Sequence, residues 1–244
     1  TPTPPPSAAA RASMPPSPEA PGTPWGWSAC LGGAAVAFGP EVLLWAGARG
    51  MDVPAGTAQA ATARSAALLA VSSLLVYGWQ TFAAWLCSLR LPGNRPADWG
   101  LRRPTVAYFW TIPLALAGVY VLNFLYSLIV SSGEQDIIGQ FPRSAAGIAL
   151  FVLVAVVMAP LFEEVFFRGF LFRGLANSWG WAWGAVLSAA VFGLAHPQVD
   201  VFVPLFALGL VLAWVYKRTG SLWTSITLHA LFNAISVLAW ALTG

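Results

Sequence analysis

The sequence predicts an all-α, polytopic transmembrane helical bundle of seven to eight helices with a disordered N-terminal tail. Three observations support this fold class: 58% of the 244 residues are hydrophobic, only 9% are charged, and the mean hydropathy is +0.70. Soluble globular domains carry about 25% charged and about 45–50% apolar residues. A soluble fold and a fully disordered chain are therefore both excluded, and a membrane protein remains.

Seven apolar segments follow one another from Trp25 onward. Each of the longer ones provides the ~20 residues that a helix needs to cross a bilayer. The fifth and sixth are shorter, and only residues 197–200 separate them, so this pair is open to another interpretation. The segments span residues 25–47, 66–89, 105–130, 145–172, 180–197, 200–216 and 221–243.

The first 24 residues differ in composition from the rest of the chain. Residues 1–24 are rich in proline, alanine and serine and have no apolar period, so we expect a disordered tail. Residues 25–244 are expected to form the transmembrane domain, with a motif core at about residues 145–244. The twelve basic residues are scattered between apolar runs, which excludes a basic stripe for nucleic acid.

Ionisable residues inside the apolar segments are the candidates for function, because each costs ~2.5–3.5 kcal/mol at the centre of a membrane helix. The fourth segment contains Glu163, Glu164 and Arg168. Both histidines of the chain, His196 and His229, lie inside or at the end of apolar segments. These polar groups therefore concentrate in the last four segments.

Helical spacing assigns different neighbours to the two glutamates. Glu164 and Arg168 are four residues apart, which places them on one helix face and predicts an ion pair. Glu163 points ~100° away from Glu164 and has Phe167 one turn later. We therefore expect Glu164 and Arg168 to be structural and Glu163 to be free for chemistry.

A predicted hairpin brings Glu163 level with His196. The chain is expected to turn near residues 178–180, and Glu163 and His196 lie at nearly equal distances along the sequence from that turn. At a rise of ~1.5 Å per residue, both lie ~25 Å from it. Pro160 is expected to kink the helix just before the glutamates.

Such a cluster suits the hydrolysis of a peptide bond. Glu163 and His196 would hold and deprotonate a water molecule. His229 and Asn233 are four residues apart on one helix face. They would donate hydrogen bonds to the oxyanion that develops on the carbonyl.

Three motifs occur in order on successive apolar segments: Glu-Glu-x-x-x-Arg at 163–168, Phe-x-x-x-His at 192–196 and His-x-x-x-Asn at 229–233. Together with Gly-Leu-Arg-Arg-Pro at 100–104, they resemble the CPBP family. That family groups type II CAAX prenyl endopeptidases with bacterial proteins linked to bacteriocin processing and self-immunity. The resemblance spans roughly residues 100–244.

The resemblance implies an intramembrane endopeptidase on a multi-helix bundle. Its implied partners are the lipid bilayer and a peptide or protein substrate, either prenylated or a leader peptide. The style of the motifs and the compact length favour the cytoplasmic membrane of a bacterium. The implied catalytic residues are Glu163 and His196 for water activation and His229 and Asn233 for the oxyanion, with Glu164, Arg168 and Phe192 in support.

The sequence leaves two points open, namely whether a metal takes part and which class of function the site serves. Glu163, His196 and His229 could supply three ligands to a divalent metal such as zinc, with an open coordination position. Members of the family have been described both as metalloproteases and as glutamate-dependent enzymes without an essential metal. Two other functions use the same residues: a proton-coupled transporter, and a catalytically silent immunity or scaffold protein.

Overall fold

The structure is a computed structural model that describes residues 23–49, 63–89, 96–103, 108–130, 141–196 and 198–242 of the 244-residue chain. Within these ranges it contains seven long helices and no strand, which confirms the predicted all-α bundle. The helices are α1 (Trp27–Arg49), α2 (Ala63–Leu89), α3 (Tyr108–Ser127), α4 (Ala145–Trp179), α5 (Trp181–Leu194), α6 (Phe202–Thr219) and α7 (Leu222–Leu242).

Five of the described helices are long and apolar enough to cross a membrane, namely α2, α3, α4, α6 and α7. The apolar part of α1 (Trp27–Leu43) is shorter, and so is α5. With 14 residues, α5 rises only ~21 Å, which is less than the ~30 Å of a hydrocarbon core. Large apolar side chains such as Leu75, Trp110 and Leu114 are exposed on α2 and α3, where lipid chains would cover them.

The fourth apolar segment extends beyond its predicted end at residue 172 and continues as helix to Trp179. Gly180 then reverses the chain with a φ of +81°, a conformation that glycine adopts without steric cost. The turn predicted near residues 178–180 is thereby confirmed. The added turns of α4 pack tightly on α5, since a Cβ on Gly184 would lie 2.8 Å from the amide nitrogen of Ala176.

The residues just before α1 pack against α4 instead of belonging to the predicted tail. Thr23 is buried, and Asn177 Nδ2 donates hydrogen bonds to the carbonyls of Thr23 (3.2 Å) and Trp25 (3.1 Å). Trp25 Nε1 donates to the carbonyl of Phe170 at 3.0 Å. Thr23 therefore contacts the helical bundle, and residues 1–22 of the predicted tail lie outside the described part of the chain.

An aromatic core surrounds the middle of α4. Phe166, Phe167 and Phe170 are all buried. Phe38 of α1 meets Phe166 edge to face at 5.4 Å, and Phe192 of α5 meets Phe167 in the same way at 5.1 Å. Edge-to-face contacts favour one mutual orientation of the rings. The core therefore holds α4 in place between α1 and α5 at the level of the glutamates.

Candidate active site

The regular pattern of α4 is interrupted on both sides of the two glutamates. Leu153–Met158 and Val165–Phe172 form π-helical turns, and the segment Ala159–Glu164 between them is α-helical. Pro160 has no N–H and cannot continue the backbone hydrogen-bond ladder. A π turn precedes Pro160, and the kink expected at this proline stays a prediction. Such π turns within helices occur frequently at functional sites.

The ion pair predicted between Glu164 and Arg168 is present and fully buried. Arg168 Nη1 donates to Glu164 Oε1 at 2.6 Å. Arg168 Nη2 donates to the carbonyl of Gly209 at 3.2 Å, and the guanidinium lies 4.5 Å from the ring centroid of Phe192. A Cβ on Gly209 would lie 2.9 Å from the Cβ of Ala189, so glycine at this position lets α6 approach α5 closely beside the arginine.

His229 of α7 lies between the two glutamates of α4. Its Nδ1 is 3.1 Å from Glu164 Oε1, and because a carboxylate only accepts, Nδ1–H is the donor. Its Nε2 faces Glu163 Oε2 at 3.9 Å, which is longer than a hydrogen bond. The sequence predicted Arg168 alone as the partner of Glu164. The structure adds His229, so one carboxylate oxygen accepts from two donors on two helices.

Phe192 lies between the two histidines. Its ring centroid is 5.2 Å from that of His196 and 5.7 Å from that of His229. The Nδ1 atom of His196 is 2.9 Å from the carbonyl oxygen of Phe192 and must donate to it, which leaves Nε2 as an acceptor in the neutral ring. Among the described contacts, no hydrogen bond or ion pair joins Glu163 to His196; Glu163 approaches His229 instead.

Asn233 contacts the backbone of α4. Its Nδ2 donates to the carbonyl of Ala155 at 2.7 Å. A primary amide has two N–H donors, so one remains for other contacts. The role predicted for Asn233 at an oxyanion would use that second donor.

Tyr77 of α2 is a site residue that the sequence did not reveal. Its ring stacks on Phe162 with centroids 6.0 Å apart and an interplanar angle of 7°. Its hydroxyl lies close enough to Glu163 for the two groups to interact electrostatically. Gln80, one turn later, donates to Glu41 of α1 at 3.3 Å. The only available signal was a tyrosine and a glutamine one turn apart in an apolar helix, and no motif links them to the glutamates.

The described part of the chain contains no preformed three-ligand metal cluster. There, no group of three histidine, cysteine, aspartate or glutamate side chains comes together with suitable spacing. Glu163 and His229 approach each other, and His196 directs Nδ1 to a backbone carbonyl, which leaves its Nε2 open. Catalytic zinc sites use three protein ligands. The metal set of Glu163, His196 and His229 stays a prediction, and the chemistry below is derived from the side chains.

Residues 145–235 match a family model described as Type II CAAX prenyl endopeptidase Rce1-like. This part of the chain is similar to the Rce1-like family. The match contains all three motifs, from Glu163 to Asn233, and confirms the resemblance there. Helices α1 to α3, including Tyr77, lie outside the matched residues.

Several bacterial proteins are similar to this chain. A putative membrane peptidase, YdiL of Bacillus subtilis, is 26% identical over 91 residues, which are 37% of each chain. The membrane-embedded CAAX protease MroQ of Staphylococcus aureus is 27% identical over 144 residues, covering 53% of this chain and 58% of MroQ. The UPF0177 protein YxdF of Lactococcus lactis is 27% identical over 57% of this chain and 78% of its own length.

The chain spans less than two thirds of the length of YdiL and of MroQ. No solved structure matches the chain significantly. The apolar helices and the bacterial membrane relatives identify an integral protein of a bacterial membrane.

Proposed function

We propose that the protein is an intramembrane endopeptidase that hydrolyses a peptide bond within or beside the bilayer. The observation that carries the proposal is a buried carboxylate, Glu163, facing Nε2 of His229 at 3.9 Å within the Rce1-like region. Glu164 and Arg168 support His229 from its other ring nitrogen. A carboxylate and an oriented imidazole are groups that transfer protons in hydrolysis.

Water activation is assigned to Glu163 and His196. The carboxylate of Glu163 takes the proton of a water molecule as the water oxygen attacks the carbonyl carbon of the peptide bond. The Nε2 atom of His196 accepts the second hydrogen of that water as a hydrogen bond and orients it. This assignment is supported by the bond from His196 Nδ1–H to the Phe192 carbonyl, which leaves Nε2 as an acceptor.

The tetrahedral intermediate carries a negative oxygen that needs donors. His229 in its imidazolium form donates through Nε2–H, while Nδ1–H stays bound to Glu164, whose charge stabilises the cation. The second N–H of Asn233, one turn from His229, is the other donor. When the intermediate collapses, the leaving amine takes the proton from Glu163, which regenerates the carboxylate.

We base the proposed substrate class on the named relatives. MroQ is named a CAAX protease, and a prenyl group would partition into the lipid beside the bundle. We therefore propose a peptide or protein substrate, either prenylated or a leader peptide of a secreted product. Both classes present an apolar segment that the bilayer would concentrate near the site.

The proposal is tested by cleavage of quenched-fluorescent peptides, prenylated and unprenylated, by the purified protein in lipid nanodiscs. We expect the wild type to cleave at least one class, and His196→Ala to reduce kcat/KM by about 10²–10³-fold. Gln198→Ala is the matched control near the same helix end and should retain activity. A chelator should leave the rate unchanged. Equal cleavage by wild type and His196→Ala would contradict the assignment.

Tyr77→Phe is expected to slow hydrolysis about 5- to 10-fold, because it removes a polar hydroxyl that interacts with Glu163, and a typical hydrogen bond contributes ~0.5–1.5 kcal/mol. Phenylalanine preserves the stacking on Phe162, so the thermal midpoint should stay the same. Tyr126→Phe, which removes a hydroxyl that donates to the carbonyl of Asp200, is the matched control. An unchanged rate in Tyr77→Phe would remove Tyr77 from the site.

One observation favours proton-coupled transport as a second candidate function. Tyr77 interacts with Glu163 and lies near Glu41, which pairs with Gln80, so polar groups extend from α1 to the glutamates of α4. Buried acids mark proton pathways in many transporters. Acidification of proteoliposomes that depends on Glu41 and Glu163, without any peptide cleavage, would favour this function over hydrolysis.

A further inference from the structure

The carbonyl of Ala155 in α4 has no helical hydrogen-bond donor. In an α-helix it would accept from residue 159, but Ala159 N–H donates to Val154 in the π turn. In the π pattern it would accept from residue 160, but Pro160 has no N–H. Both backbone donors are therefore lost at the same carbonyl, about two turns of helix before the glutamates.

Asn233 supplies the missing donor from α7. Its Nδ2 lies 2.7 Å from the Ala155 oxygen, a short and well-formed hydrogen bond. A carbonyl only accepts, so this contact determines which end of the amide faces α4. In an apolar environment a carbonyl without a donor is costly, which makes the contact a strong constraint on the amide.

The same bond sets the position of α7 relative to α4. Asn233 lies one turn after His229, and Ala155 lies about two turns before Glu163 and Glu164. Holding Asn233 on the Ala155 carbonyl therefore restrains how far α7 can slide along α4, and with it the position of His229 beside the two glutamates. It also leaves one N–H of the Asn233 amide in a defined direction.

From these contacts we infer that Pro160 is a positioning residue, because it leaves the Ala155 carbonyl free to orient the Asn233 amide beside His229. The inference rests on the proposed hydrolysis and extends it. It gives a reason for a proline inside a membrane helix: the proline leaves the Ala155 carbonyl available as an acceptor for the Asn233 side chain of α7. Neither Pro160 nor the Ala155 carbonyl belongs to the three sequence motifs.

A thermal double-mutant cycle tests the coupling without any assay of activity. Asn233→Ala leaves the Ala155 carbonyl unpaired and should lower the midpoint of unfolding by about 3–8 °C. In the Pro160→Ala background a backbone N–H becomes available to that carbonyl, from residue 160 or from residue 159 in a regular helix. The same Asn233→Ala change should then lower the midpoint by less than half as much. An equal decrease in both backgrounds would overturn the inference.

Kinetics test the positioning role separately. Pro160→Ala should fold at least as well as the wild type, yet lower kcat about tenfold with KM nearly unchanged. In the Asn233→Ala background it should lower kcat no further. Pro113→Ala, which removes an exposed proline inside α3, is the matched control and should retain wild-type kcat.

The outcomes separate the two proposals. Wild-type kcat in Pro160→Ala, or an equal loss of kcat in both Asn233 backgrounds, would overturn the positioning role. If the wild type cleaved no peptide, hydrolysis would fail as the proposed function. The thermal cycle would still confirm or overturn the coupling between Pro160 and Asn233.

Discussion

Replacing Glu163 with glutamine is expected to abolish peptide hydrolysis while the protein still folds and inserts into the membrane. Glutamine has nearly the same size as glutamate but cannot take a proton from water, so the loss should be about 10³-fold or more. The fold should tolerate the change because Glu163 lies 3.9 Å from His229 and is not part of the short Glu164–Arg168 pair.

Cleavage of the best peptide, followed by mass spectrometry of the products, measures this effect. Glu163→Asp is the informative companion, because it keeps the acid but withdraws it by one methylene group. We expect a loss of about 10²-fold, since displacing a catalytic group by ~1 Å has effects of this size. Thermal midpoints within a few degrees of the wild type are the control for folding. A Glu163→Gln variant with more than a tenth of wild-type activity would contradict the role of Glu163 as base.

Loss of either partner of the Glu164–Arg168 pair is expected to destabilise the protein itself. Both side chains are fully buried, and removing one leaves an uncompensated charge in an apolar interior. Breaking a buried pair in this way costs about 3–5 kcal/mol. Glu164→Gln and Arg168→Met should therefore reduce the yield of monodisperse protein and lower its thermal midpoint, in contrast to Glu163→Gln.

The double variant Glu164→Gln/Arg168→Met distinguishes loss of pairing from loss of packing. With both charges gone, no buried charge is left unpaired between these two positions, so much of the lost stability should return. Activity should stay low, because His229 Nδ1 then lacks its carboxylate acceptor. Yield and midpoint from detergent-solubilised samples provide the readout. If the double variant were as unstable as the sum of the single variants, the pairing argument would be wrong.

Local sequence was sufficient for the features that depend on spacing along one helix. Low charge and continuous apolar runs determine a helical membrane bundle, because backbone groups in lipid must be satisfied within the helix. The four-residue spacing of Glu164 and Arg168 determines their ion pair, since side chains one turn apart share a face. The turn at Gly180 was likewise predictable from the interruption between two apolar segments.

Contacts between helices needed the tertiary structure. The depth of His229 relative to α4, which gives it Glu164 and Glu163 as neighbours, depends on how α7 packs and not on any spacing within α7. Tyr77 could not be found from the motifs, because α2 is distant in sequence and apolar almost throughout. The same applies to Thr23, which looked like part of a tail until Asn177 was seen to hold its carbonyl.

The sequence by itself therefore determined the class of fold, the candidate residues for proton transfer, and the pairing of Glu164 with Arg168. The tertiary structure alone decided which nitrogen of His229 faces which glutamate, and that Asn233 is bound to the carbonyl that Pro160 leaves free. The physical reason is the distance along the sequence over which each effect acts. Helical periodicity relates residues within one or two turns, whereas the partners of a side chain across a helix interface depend on the packing of the whole bundle.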